Sequence, residues 1–252
     1  MIEVLLKDGS SKKYEKGLTA FEIAKNISEG LARNVLSANF NGSTIELSTK
    51  INESGSLTFY TWNDDEGKSA FWHSSSHILA QTILSLYPKI KLTIGPSIEN
   101  GFYYDFDLGD EIISENDFPK IEKTFMSYAS QKSEFRMKSV TKSDAQEYYK
   151  KEKNTYKLEL IDDLKDGEIT FCDHSDFSDL CKGGHIPHTG LIKAVKLTNI
   201  AGAYWKGDEN NKQLTRIYGI TFPKQKLLTE YISFIEEANR RDHRKIGKEL
   251  NL

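Results

Sequence analysis

The pattern that most narrows the fold is packed into the first 62 residues. Ile2, Val4 and Leu6 alternate with Glu3, Leu5 and Lys7, the period of a strand with one buried face. Lys7-Asp8-Gly9-Ser10 supplies a hairpin turn, and residues 12–15 a returning strand. Thr19-Ala20-Phe21-Glu22 has the spacing of a capping box, in which Thr19 covers the helix start and Glu22 reaches back to it. Ala20, Ile23, Ala24 and Ile27 follow at helical spacing, and Gly30 predicts the end of that helix. Residues 36–40, an Asn41-Gly42 turn, residues 43–47 and residues 56–62 read as further strands.

Two strands, a helix and more strands within so short a span is the order of a ubiquitin-like β-grasp unit. The polar run Asn63-Asp64-Asp65-Glu66-Gly67-Lys68 marks its end. Beyond it, residues 71–87 read as a helix, with Ile78, Leu79, Ile83 and Leu86 on its apolar face and Pro88 as its stop. Residues 92–98 and 101–108 read as two strands joined at Glu99-Asn100-Gly101, and residues 118–130 and 142–153 as helices around a strand at 136–140. Residues 158–161, 169–172, 192–200 and 213–222 read as strands, and a long helix follows Pro223. Strands and helices without a regular βαβ rhythm predict an α+β fold. The domains expected are a small one at 1–62, a larger one at 63–223 and a C-terminal helix at 224–252.

Composition excludes several classes. With 38% hydrophobic and 28% charged residues the 252-residue chain has material for real cores, so wholesale disorder is excluded. No run approaches the roughly 18 apolar residues of a membrane span, and no basic stretch precedes an apolar one at the N-terminus, so no signal peptide is expected. Two cysteines cannot staple so long a chain, and a reducing cytoplasm is the expected compartment. The net charge of −3 hides an asymmetry: residues 193–252 hold 12 Lys and Arg against 7 Asp and Glu, a local +5. A basic end on an acidic body fits a polyanion-facing tail or an ordinary solvated helix equally well.

Four of the eight His and Cys residues fall into two tight motifs. His73-Ser74-Ser75-Ser76-His77 puts two imidazoles at i and i+4, on one face of a helix; Cys181-Lys182-Gly183-Gly184-His185 puts a thiol and an imidazole on a glycine-rich loop. If the two meet, three readings compete: satisfied structural histidines, a tetrahedral zinc site, or a metal-free pocket whose imidazoles position water and substrate. Spacing alone does not separate the last two.

The run His73 to His77, then Ile94-Gly95-Pro96 through Gly101-Phe102-Tyr103-Tyr104-Asp105-Phe106, resembles the editing domain of threonyl-tRNA synthetases. So do Asp176-Phe177-Ser178-Asp179-Leu180-Cys181-Lys182-Gly183-Gly184-His185, Ala201-Gly202-Ala203-Tyr204-Trp205-Lys206-Gly207-Asp208 and Leu214 to Gly219. Residues 1–62 are similar to the TGS module that opens bacterial members, and the stretch from Asp242 to Leu250 resembles the linker before their catalytic core.

The resemblance implies a proofreading ester hydrolase that removes serine from tRNA(Thr). The aminoacylation core would follow Leu252, so ligase activity is not expected of this chain, which then reads as an N-terminal fragment. Zinc, ATP and magnesium belong by resemblance to that absent core, and no cofactor is expected here, although related alanyl-type editing domains use the same four ligands for zinc. The resemblance puts His73, His77, Cys181 and His185 in the pocket with Lys157, and makes His73 and Lys157 the pair nearest the chemistry. Asp179 is expected to receive the substrate's amino group, while Tyr104 and the backbone at Gly95 line the serine side chain and reject an extra methyl. Cys172, His174 and His188 are read as structural. The implied partner is the serine-charged acceptor end of tRNA(Thr), with no membrane and a homodimer only for the full-length enzyme. The alternatives are a non-catalytic RNA-binding module and a zinc-dependent aminoacyl-ester hydrolase.

Overall fold

In the computed structural model, β1 (Ile2–Leu6) buries Ile2 and Val4 and pairs antiparallel with β2 (Ser11–Tyr14). The structure describes residues 1–249, without the side chains of residue 239 and of residues 242–249. Helix α1 (Ala20–Ile27) starts on the reciprocal capping box: the Thr19 hydroxyl accepts the Glu22 N–H at 3.1 Å, and the Glu22 carboxylate accepts the Thr19 N–H at 2.7 Å. Gly30 does not end this helix. It stops at Ser28, whose extended backbone and side chain cap a second short helix, α2 (Glu29–Asn34), by accepting the Leu31 N–H at 2.9 Å. A serine cap supplies a hydrogen bond that glycine cannot, so it sets the break.

Strands β3 (Ser37–Phe40) and β4 (Ser43–Ile45) form a hairpin on Asn41 and Gly42, both at positive φ, as the Asn-Gly signal requires. Strand β5 (Gly55–Tyr60) lies parallel to β1 and antiparallel to β3, giving the order β2-β1-β5-β3-β4. This is the β-grasp arrangement. Its core of Val4, Ile23, Ala24, Ala38 and Leu57 is sealed from water.

The larger unit is built on α3 (Asp65–Leu86), whose middle is buried nearly all round, with Phe71, Ser74, Ser75, Ser76, Ile78 and Leu79 at zero exposure. Against it lie the short β6 (Lys91–Leu92) and β7 (Ser97–Ile98), and the central β8 (Gly101–Asp107). The expected strand at 92–98 is therefore interrupted: only its two ends form regular strands on β8, while between them the Ile94 and Pro96 carbonyls accept the Asp105 and Tyr103 N–H groups. Helix α4 (Phe118–Ser130), β9 (Arg136–Ser139) and α5 (Lys142–Lys151) follow.

The next segment corrects the sequence reading. Residues 158–161 belong to a helix, α6 (Thr155–Asp162), not to a strand. Asn154 decides it: its side-chain oxygen caps the helix by accepting the Lys157 N–H at 3.1 Å, and its amide donates to the Leu92 carbonyl at 2.8 Å. Strands β10 (Thr170–His174) and β11 (Phe177–Leu180) then form an antiparallel sheet with β9, and the hairpin of β12 (Ala194–Tyr204) and β13 (Gln213–Phe222) joins β8. Asp179 sits in β11. Helix α7 (Gln225–Glu249) closes the described chain; the linker resemblance from Asp242 onward lies outside the described side chains. No helix among the described residues is long and apolar enough to cross a membrane.

The two units share packing. Leu36, between α2 and β3, is only 4% exposed and belongs to the core of the larger unit. Trp62 sets its ring edge-on to Phe71 and Trp72, with centroids 5.0 and 5.9 Å away, and tilts against Phe222 at 5.7 Å.

Candidate functional site

The two His/Cys motifs, separated by about a hundred residues, converge. Helix α3 presents His73 and His77 one turn apart with ring centroids at 4.9 Å. The loop after β11 brings His185 against both, at 4.9 Å from His73 and 5.1 Å from His77. The Cys181 sulfur lies 3.1 Å from His73 Nε2 and 3.3 Å from His185 Nε2. Gly183 and Gly184 hold φ of 99° and 88°, which bends the Cys-Lys-Gly-Gly-His loop back on itself and aims the Gly183 N–H at the sulfur at 3.4 Å. His77 and His185 are buried, and His73 is half-buried at the rim of a cavity of about 690 Å³.

A second group lies beside the first. Lys157, 2% exposed on α6, places Nζ 2.6 Å from Asp179 Oδ1 and donates to the Tyr104 hydroxyl at 3.4 Å. Asp179 also accepts hydrogen bonds from Tyr104 at 2.9 Å and Tyr149 at 3.2 Å, and its Oδ2 lies 3.8 Å from His77 Nδ1. An Asp already holding an ammonium and two phenols has little free acceptor capacity for a substrate amino group. Gly95 faces the Tyr104 ring so closely that an added Cβ would stand 2.1 Å from Cδ2. All eight sequence-derived candidates thus gather around one site, and all but His185 line the cavity itself.

Two family matches bear on this chain: residues 2–61 match the TGS domain, and residues 169–218 match the threonyl and alanyl tRNA synthetase second additional domain. Over all 252 residues the chain is 61% identical to the threonine–tRNA ligase of Flavobacterium psychrophilum, 62% to that of Flavobacterium johnsoniae and 54% to that of Cytophaga hutchinsonii. The whole chain is homologous to threonine–tRNA ligases. It spans 39% of the length of each of these relatives.

The stretch that matches the second additional domain of these synthetases carries Asp179, Cys181 and His185, while His73, His77 and Lys157 come from outside it. Charge in the site is uneven. Burial alone would raise the Cys181 thiol, but His77, His185 and His73 around it hold it well below the usual thiol range. Burial works against a charged His185, yet its bonds to Cys172, Cys181 and Glu46 hold that imidazole well above its usual range. His77 goes the other way, lowered by its burial. Burial and the adjoining Asp179 raise the Tyr104 phenol well above its ordinary value, which keeps it a hydrogen-bond donor.

The same four residues could hold a metal. His73, His77, Cys181 and His185 each offer one donor atom, all within 4.8 Å of one another, and both His77 ring nitrogens are buried without a partner. Three imidazoles and a thiolate form a donor set suited to tetrahedral zinc.

Three residues escaped the sequence reading as parts of the site. Cys172 sits 3.7 Å from His185 Nδ1, its thiol pushed up by burial to about 11, and remains free, as does Cys181. His174 packs between Phe135 and Phe177 at 4.9 and 5.2 Å. Glu46 comes from the β-grasp unit, and nothing in its local sequence, Ile45-Glu46-Leu47, distinguishes it from a solvated strand-end carboxylate.

Proposed function

We propose that this chain hydrolyses the ester joining serine to the 3′ end of tRNA(Thr), as the editing part of a threonyl-tRNA synthetase. The observation that carries the reading is the gathering of His73, His77, Lys157 and Cys181 around one cavity in a chain of this family. Such a family needs the activity: serine lacks one methyl of threonine, and a methyl discriminates by only about 1–3 kcal/mol.

In this reading water attacks the ester carbonyl and the terminal ribose hydroxyl leaves with the proton. His73, at the cavity rim with Nε2 against the Cys181 sulfur, orients the water and the ribose. Lys157, held by Asp179, stabilises the negative charge that develops on the carbonyl oxygen. Asp179 acts on the amino group only through the network it shares with Lys157 and Tyr104. Tyr104, pressed on Gly95, forms the wall against a larger side chain.

A deacylation assay with seryl- and threonyl-tRNA(Thr) tests it. The seryl ester is cleaved, the threonyl ester is spared, and His73→Ala abolishes cleavage; equal rates on both esters refute proofreading.

The four clustered donor atoms favour a second reading, a zinc-dependent hydrolase of the same ester. His73, His77, Cys181 and His185 would hold the ion, which supplies Lewis acidity at the carbonyl. Zinc analysis of protein purified without a polyhistidine tag separates the two: one tightly held equivalent per chain supports the zinc reading and sinks the metal-free one.

A further inference from the structure

The histidine deepest in the site is held from outside its own unit. Glu46 lies just beyond β4 of the β-grasp sheet, 139 residues before His185, and its side chain is only 13% exposed. Glu46 Oε1 lies 3.1 Å from His185 Nδ1 and accepts the Gly184 N–H at 2.8 Å; the His185 N–H reaches both carboxylate oxygens at 3.3 Å. The positive φ values of Gly183 and Gly184 turn these N–H groups to one side, into a concavity that suits an anion. The fit is close, since a Cβ on Gly183 would stand 3.2 Å from Glu46 Oε1.

A carboxylate can only accept at Nδ1, so Glu46 requires that nitrogen to carry the proton. The opposite nitrogen, Nε2, is thereby aimed at Cys181. Phe135 stacks on the same ring, centroids 5.2 Å apart and planes 9° from parallel, so Glu46 fixes the one rotation that stacking leaves free. The β-grasp unit also supplies Ser37, Thr44 and Tyr60 to the cavity wall.

We infer that Glu46 is a positioning residue of the site: the β-grasp unit uses it to fix the orientation of the His185 ring, and with it the Cys181 loop. The inference deepens the hydrolase reading and rests on it for its kinetic effect. Its structural half stands on the contacts alone.

The experiment uses the whole 252-residue chain with Glu46→Ala and Glu46→Gln. ¹H–¹⁵N spectra report the surroundings of the His185 ring and of the Gly184 and His185 amides, and seryl-tRNA(Thr) deacylation reports kcat and KM. In Glu46→Gln, which keeps an acceptor, the ring and amide signals stay close to those of the parent chain. In Glu46→Ala these signals shift as the ring and the Gly183-Gly184 turn lose their anchor, and kcat falls about tenfold with KM unchanged, the scale of one lost charge-assisted hydrogen bond. An unchanged His185 ring spectrum in Glu46→Ala overturns the inference, whatever the rate does. So does a Glu46→Gln spectrum as altered as that of Glu46→Ala, because the carboxylate would then not act as an acceptor. If the parent chain leaves the seryl ester intact, the hydrolase reading falls and the ring spectra still decide the role of Glu46.

Discussion

Lys157→Met offers the sharpest test of how the site is built. The ammonium and Asp179 approach to 2.6 Å, and each residue is only 2% exposed. Breaking a buried pair by removing one partner costs about 3–5 kcal/mol, because the other charge stays buried. Here the Asp179 carboxylate keeps the Tyr104 and Tyr149 hydroxyls and the Leu180 N–H at 2.9 Å, so Lys157→Met falls at the low end, about 3 kcal/mol. Asp179→Asn leaves the ammonium with only neutral acceptors and costs somewhat more, about 4 kcal/mol. The double variant contains no unpaired charge and should lose about 4 kcal/mol rather than the additive 7, a coupling of about 3. Thermal unfolding followed by circular dichroism reads the single Lys157→Met change as a drop of about 6–12 °C, at roughly 2–4 °C per kcal/mol for a unit of this size. Urea denaturation of all four proteins closes the cycle. Additive losses, or a Lys157→Met cost below about 1 kcal/mol, would refute the claim that the two charges are held as a pair.

Two further outcomes follow from the geometry. Gly95→Ala puts a methyl 2.1 Å from the Tyr104 ring and should cost about 1–3 kcal/mol while slowing seryl-tRNA deacylation, so an unchanged melting temperature contradicts that packing. His174 is driven by burial to about 3, so as pH falls from 6.5 to 5 the unfolded chain takes up a proton that the folded chain refuses. Stability should drop over that window by about 2 kcal/mol from this residue. His174→Phe, set between Phe135 and Phe177, should flatten the slope; an unchanged pH profile rejects the assignment.

What the sequence disclosed and what it hid divide along the range of the interactions. The β-grasp unit was readable because its signals are local: the Ile2-Val4-Leu6 alternation, the Asn41-Gly42 turn and the Thr19–Glu22 box each act within four residues. The His73/His77 pair was readable for the same reason, since i and i+4 share a helix face. Helix α6 was missed because Leu158-Glu159-Leu160-Ile161 carries a strand-like pattern, and the deciding bond runs from Asn154 to Leu92, 62 residues away. The membership of Lys157 in the site came from family resemblance alone, for a lysine gives no local sign that it will be buried. Glu46 left no trace, because its partner is on another unit.

The three serines between the two histidines lead to a last consequence. Consecutive helical residues point about 100° apart, so Ser74, Ser75 and Ser76 radiate in three directions. The Ser74 hydroxyl receives the Ile186 N–H at 3.0 Å, Ser75 meets the Thr221 hydroxyl at 2.6 Å, and Ser76 donates to the Gly95 carbonyl at 2.5 Å. Three anchors spread around an axis act like the screws of a collar: α3 can neither roll nor slide without breaking at least one of them. The aim of His73 and His77 is therefore set by neighbours that carry no chemistry of their own. Mutations that spoil the aim can be sought at Thr221, in a strand remote from the loop that carries Cys181 and His185.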